Sequence, residues 1–104
     1  MARNLRQDNK AAARSEAAEM LAIAALSFLA AEPEHLGRFL AVTGVDPSGL
    51  RAAARDRGFL SGVLDYFSSE EPLLLAFAQQ QGVDPAEIER ARGALGGLWE
   101  RDVP

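Results

Sequence analysis

The sequence predicts an all-α protein: a compact bundle of about six short helices built around a long apolar N-terminal helix and two helix-GVDP-helix units. Three observations carry that prediction. The strong helix formers Ala, Leu, Glu, Arg and Gln dominate the chain. No window alternates apolar and polar side chains over the length of a strand. The tetrapeptide Gly44-Val45-Asp46-Pro47 returns as Gly82-Val83-Asp84-Pro85, thirty-eight positions later, and each of its residues has a task where one helix stops and another starts.

The first helix is expected over residues 9–31. Met20, Leu21, Ala24, Ala25, Phe28 and Leu29 form one wide apolar stripe, which Ile23 and Leu26 widen further, so other helices are expected to wrap it. Its uncharged run, Met20 to Ala31, is twelve residues, short of the roughly twenty that a membrane span needs. Pro33 suits the first turn of a second helix, 33–43, in which Leu36, Phe39, Leu40 and Thr43 keep helical spacing.

Gly44 then supplies the left-handed residue that ends a helix, and Val45 packs back on the last turn. Asp46 caps the third helix, 47–56, with Pro47 at its first position and Val45 stapled to Leu50. The fourth helix, 58–68, rests on Leu60, Val63, Leu64 and Phe67 at i, i+3, i+4 and i+7. A serine of the Ser68-Ser69 pair caps the fifth, 70–81, which carries Leu74, Phe77 and Ala78 and tolerates Pro72 in its first turn. The sixth, 85–96, repeats the capping scheme and adds Glu87 for a capping box with Asp84. Leu36, Phe39, Leu50 and Ala53 correspond to Leu74, Phe77, Ile88 and Ala91, an internal repeat. Two such units are too few for a solenoid, which favours a closed bundle. The organisation expected is a flexible basic arm at residues 1–8, one helical domain at 9–97 and a tail at 98–104.

A chain of 104 residues buries about two thirds of its unfolded surface, enough for one core without metal or disulfide. The absence of cysteine excludes disulfides, thiolate metal sites and thiol nucleophiles. Charge is uneven. Residues 1–14 hold four basic residues and one acid, 4 − 1 = +3, and the remainder holds 7 − 14 = −7, for the net −4 of the chain. An acidic body argues against DNA binding driven by phosphate neutralisation. Glu16 and Glu19 interrupt what would be the approach to a signal-peptide core, so cytoplasmic residence is expected.

Phe39-Leu40-Ala41-Val42-Thr43-Gly44-Val45-Asp46-Pro47, Phe59-Leu60 with Val63-Leu64-Asp65-Tyr66-Phe67, and Leu73-Leu74-Leu75-Ala76-Phe77-Ala78 carry a resemblance. Over roughly Glu19 to Leu95 the chain resembles a family of small helical alphaproteobacterial proteins that form a domain of unknown function. The resemblance implies a bacterial cytoplasmic setting and brings no catalytic or binding residues.

Ala78, Gly82 and Ile88 also have the spacing of a DNA-binding helix-turn-helix, with Leu40, Gly44 and Leu50 a poorer copy. A reader of base edges needs Arg, Lys, Asn or Gln at the start of its second helix. Asp84, Glu87 and Glu89 stand there instead, offset in part by Arg90 and Arg92. The cationic candidate is Arg51 and Arg55 with Arg57 beyond and Arg38 near, either a solvated face or a dock for an acidic partner.

Catalytic parts are lacking. His35 is the single imidazole, expected exposed and without an activated partner; Glu32 and His35 match a di-iron spacing that Pro33 interrupts; and Glu16 with Glu19 and Glu70 with Glu71 read as helix-dipole complements. No glycine-rich loop follows a strand, and no metal or cofactor is expected. Phe59, Tyr66 and Trp99 either close the ends of the bundle or mark an interface. Trp99, past Gly96-Gly97, either folds back or stays free for a partner or a second copy.

The candidate interaction patch is thus Arg51, Arg55, Arg57 and Trp99. The expected function is non-enzymatic: a protein-protein interaction or adaptor module, or a homodimer. The alternative is a helix-turn-helix nucleic-acid-associated regulator, distinguished by salt-dependent binding to duplex DNA.

Overall fold

The computed structural model describes the backbone of residues 2–102 and the side chains of residues 13–96. Among them six α-helices follow one another: α1 (Ala2–Ala30), α2 (Pro33–Thr43), α3 (Leu50–Ala53), α4 (Arg57–Ser69), α5 (Glu71–Gln81) and α6 (Pro85–Asp102). A 3-10 turn over Pro47–Gly49 leads into α3, and these residues form no strand. The fold is the all-α bundle that the sequence predicts.

Three helices, α1, α4 and α6, pack against one another as the centre; α2 leans on α1, and α5 lies against α4 and α6. On α1 the interior positions are Ala18, Ala22, Ala25 and Leu29. Alanine at three of the four removes the bulk that otherwise holds helix axes apart, so α1 approaches its neighbours closely. The two facing helices supply the volume. Leu60, Val63, Leu64 and Phe67 of α4 are buried in the predicted register, and Ile88, Ala91 and Leu95 of α6 close the far side.

All five phenylalanines and the tyrosine form one continuous aromatic chain. Ring centroids run from Phe59 to Phe39 (5.8 Å), Tyr66 (5.4 Å), Phe67 (6.5 Å), Phe77 (5.1 Å) and Phe28 (5.5 Å). Most pairs are edge-on or tilted, the arrangement that ring quadrupoles prefer. Phe59 and Tyr66 are therefore occupied in closing one end of the core.

In both GVDP turns the glycine ends one helix and the aspartate caps the turn that follows, as the sequence predicts. Gly44 and Gly82 are the positive-φ residues, at 74° and 70°. The Gly44 N–H donates to the Leu40 carbonyl (2.8 Å), and the Val83 N–H reaches the Ala78 carbonyl (3.0 Å), a Schellman closure. Asp46 Oδ1 accepts from the Ser48 N–H at 3.0 Å, and Asp84 Oδ1 from the Ala86 N–H at 2.9 Å. The Ser48 N–H, and then its hydroxyl, hold the Asp46 carboxyl below its ordinary range.

Several local expectations are corrected. The third helix does not run over 47–56. Gly49 is its third residue, and a 3-10 turn and a single α-turn replace it. The fifth helix has no serine cap: the Ser69 hydroxyl donates back to the Tyr66 carbonyl (2.8 Å), and Glu70 takes the cap position without a side-chain bond. The reciprocal half of the capping box is unmade, because the Glu87 side chain forms no hydrogen bond among the described residues. Gly96-Gly97 does not end α6, which continues to Asp102, and α1 begins at Ala2. The arm at 1–8, the tail at 98–104 and Trp99 lie outside the residues whose side chains are described.

The first helix is also not wrapped on all sides. Met20, expected on the buried stripe, is 71% exposed, and Ile23 is 45% exposed. The buried arc of α1 is narrow, because alanines let two neighbouring helices come close without reaching round it.

Candidate interaction surface

The predicted cationic residues do not act as one group. Arg57 opens α4 and turns back to α1, where its Nε lies 3.2 Å from Glu19 Oε2 and its Nη2 donates to the Ser15 hydroxyl. It is a clasp between two core helices. Arg38 faces Glu70 at 4.0 Å, both well exposed, a separation that contributes little. Arg51 and Arg55, on and just after α3, are exposed and form no ion pair among the described residues. Of the three arginines of the expected patch, Arg51 and Arg55 therefore remain unengaged among the described residues and Arg57 does not; Trp99 lies outside the residues whose side chains are described.

A second polar cluster, which spacing did not reveal, joins α4 to α6. Arg92 donates from Nη1 to Asp65 Oδ1 (3.0 Å) and from Nη2 and Nε to Glu89 Oε1 (2.8 and 3.2 Å). The other oxygen of Glu89 accepts from the Ser68 hydroxyl. The Ser68 hydrogen bond, then that of Arg92, hold the Glu89 carboxyl below its ordinary range; Glu89 first and Asp65 second raise the Arg92 guanidinium. An acid stabilised as its anion in this way is a poor general base. Arg92 and Glu89 share a helix face at i, i+3, but Asp65 and Ser68 come from a helix twenty or more residues earlier, a juxtaposition only the fold creates.

A cleft of about 470 Å³ borders this cluster, lined by Gly58, Ser61, Asp65, Arg92, Leu95 and Gly96. Its guanidinium is already occupied by two carboxylates, which leaves the Ser61 hydroxyl as its free polar side chain. A shallower groove of about 260 Å³ lies between α1 and α6, with Arg14, Ala17 and Leu21 on one side and Glu87, Arg90 and Ala94 on the other. His35, expected exposed, is half-buried beside a cleft of about 440 Å³ with Glu32, Pro33 and Glu34, and its Nδ1 has no hydrogen-bond partner. The Tyr66 hydroxyl is likewise buried and unpartnered at the rim of the aromatic chain. No helix is long and apolar enough to cross a membrane among the described residues, and no three His, Asp or Glu side chains there gather closely enough to hold a metal ion.

The apolar surface is the feature that sequence reasoning missed. Val42 on α2 is 74% exposed and Leu75 on α5 49%. On α1, Met20 and Ile23 lie one turn apart on the outer face, and the exposed positions from Ala17 to Ala31 (Ala17, Met20, Ile23, Ser27, Ala30 and Ala31) carry no charge. That is about 20 Å of uncharged helix open to solvent. Its signal in the sequence is the twelve-residue uncharged run, which is longer than the burial of one helix arc requires.

These features define a small all-α bundle whose conspicuous surface is an uncharged helix face rather than a polar cleft. The chain belongs to the family of proteins of unknown function DUF3572, which its residues 15–98 match. No curated protein and no solved structure matches it.

Proposed function

We propose that this protein is a non-enzymatic protein-protein interaction module that binds through the outer face of α1. One observation carries the reading: Met20 and Ile23 stand exposed in the middle of a helix face without charge over four turns. A solvated helix of a monomer normally carries charged side chains on its outer face, and contiguous exposed apolar surface marks interaction sites. Among the described residues, the side chains with acid-base chemistry are not arranged to act together. His35 Nδ1 has no partner, and the carboxylate nearest a serine hydroxyl, Glu89, is committed to Arg92. Arg51 and Arg55 offer an auxiliary contact for an acidic partner. A bacterial cytoplasmic setting belongs to the same proposal and rests on the resemblance drawn from the sequence.

The test is affinity capture from native cell extract, with wild type compared against Met20→Glu with Ile23→Glu, and separately against Arg51→Glu with Arg55→Glu. The first pair is expected to abolish capture while circular dichroism stays unchanged; the second weakens it. A partner retained equally by all three proteins overturns the reading.

The nucleic-acid reading retains one specific support: Ala78 and Ile88 are buried and Gly82 is left-handed, as a helix-turn-helix requires. The start of α6 opposes it with Asp84 in a cap and Glu89 in an ion pair. Binding to duplex DNA that falls steeply with salt would establish it.

A further inference from the structure

We propose that the groove between α1 and α6 seats an acidic amphipathic helix supplied by another protein. This surface is separate from the uncharged outer face of α1: neither Met20 nor Ile23 lines it. The groove has a volume of about 260 Å³ and a small, apolar floor, with Ala17, Ala18 and Leu21 from α1 and Ala91 and Ala94 from α6. Ala17 and Ala94 are exposed and Leu21 is half-buried. Alanine on both walls lets a third helix axis come close, with the larger side chains of that helix entering between them.

Charge identifies the occupant. Arg14 on one wall and Arg90 on the other are both exposed, and neither forms an ion pair among the described residues. The two helices run antiparallel. The start of α4 meets α1 at Ser15 and Glu19 and its end meets Phe28, whereas Asp65 and then Ser68 meet Arg92 and then Glu89 of α6, in reverse order. Arg14 and Glu87 therefore stand at opposite ends of the groove, with Arg90 between them. Beyond Arg14 the α1 backbone continues to Ala2. Arg3, Arg6, Lys10 and Arg14 recur there at intervals of three, four and four, positions that share one side of an α-helix and that Ala17 and Leu21 extend at three and four. That side of α1 passes from basic positions to apolar ones over about five turns. In a chain of net charge −4, this concentration of positive charge calls for carboxylates at one end of an otherwise apolar partner.

Two features select a protein helix among anionic partners. The floor suits leucine or valine side chains and offers phosphate groups no hydrogen-bond donor. Glu87 stands on the wall, exposed and without an ion pair among the described residues, and repels a polyanion that follows the groove from end to end. A helix with carboxylates in one half only avoids that repulsion. One helix laid in a shallow groove buries less than about 1,200 Å², which places the complex among reversible ones.

The probe is a synthetic helical peptide of about 18 residues, long enough to span this side of α1, with leucines along one face and glutamates confined to one half. Titrated into the full chain at low salt, it is expected to shift the amides of Arg14, Ala17, Leu21, Arg90 and Ala94, with an affinity that weakens as salt rises. Arg14→Glu with Arg90→Glu should raise the dissociation constant at least about 10-fold, with helix content unchanged because both positions are exposed. A peptide with lysines in place of its glutamates should bind that doubly substituted chain better than wild type, and serines in place of its leucines should weaken binding. No shift up to about 1 mM peptide, or equal binding of the lysine and glutamate peptides, overturns the proposal. Shifts centred on Met20 and Ile23 overturn it too, while supporting the outer face of α1 as the binding surface. Duplex DNA or phosphatidylglycerol vesicles that shift the groove amides at lower concentration than the peptide would assign the groove to a phosphate-bearing partner and overturn it as well.

Discussion

At the scale of single residues, the smallest side chains do the most to set the geometry. Ala22 and Ala25 are fully buried where α1 meets its neighbours, so Ala22→Leu has nowhere to place its added carbons and should destabilise the fold by about 1–3 kcal/mol. Ala17→Leu, five residues earlier on an exposed position, should change stability by less than about 0.5 kcal/mol. Urea midpoints for the two variants check the contrast. Glu89 makes a prediction in pH. Ser68 and then Arg92 hold its carboxyl below the unfolded value, so the unfolded chain takes up its proton first. The stabilisation is therefore complete above the unfolded glutamate pKa of about 4.3 and is lost as pH falls through the lower folded-state value. Glu89→Gln should separate from wild type in urea midpoint at pH 7, and the gap should narrow at pH 3; a gap that widens on acidification would have the wrong sign.

At the scale of elements, the two turns divide what spacing can read from what it cannot. Glycine at a helix stop, aspartate at a start and proline after it act through the backbone of adjacent residues, so their chemistry is complete in the sequence, and both turns form accordingly. The face of α4 is equally legible, because four apolar residues at helical spacing allow one orientation. The third helix is shorter than its signals suggest because Asp46 and Pro47 announce a start but Gly49 weakens the turns beyond them, and nothing buries α3 to compensate. The interaction surface is legible only in part. Arg51 and Arg55 are visible as free cations, whereas the capture of Arg57 by Glu19, thirty-eight residues away, and the joining of Asp65 to Arg92 depend on helix docking. Met20 reads as an interior residue because the apolar stripe of α1 is wider than the arc two close neighbours cover. The glycines offer a paired test. Gly82, at φ 70°, needs the left-handed conformation, so Gly82→Ala should cost about 1–2 kcal/mol. Gly93 lies within α6 with nothing within 4 Å of an added methyl group, and Gly93→Ala should stabilise by up to about 1 kcal/mol. Thermal unfolding of the two variants should shift in opposite directions.

At the scale of the whole molecule, the two helix-GVDP-helix units are alike in their turns but unlike in what they secure. Phe39 and Phe77 are both fully buried, each one turn before its glycine. Beyond the turn the second unit feeds the 18-residue α6, whose Ile88, Ala91 and Leu95 enter the core. The first feeds a 4-residue α3 with no buried residue, where Leu50 and Ala53 are half-buried in the places of Ile88 and Ala91. Regions with few buried apolar contacts open locally at a lower free energy than the molecule as a whole. Amides of residues 50–56 should therefore exchange with solvent through a local opening that adding small amounts of denaturant barely accelerates. Those of Val63, Leu64 and Phe67 in α4, at the meeting of α1 and α6, should exchange only through global unfolding, with rates that climb with denaturant. Equal protection of the two segments would mean that α3 is held by contacts other than burial. The expected order also bears on binding, since Arg51 and Arg55 sit on the segment that opens first. A partner that engages them must order it, which lowers the affinity they can add relative to the rigid face of α1.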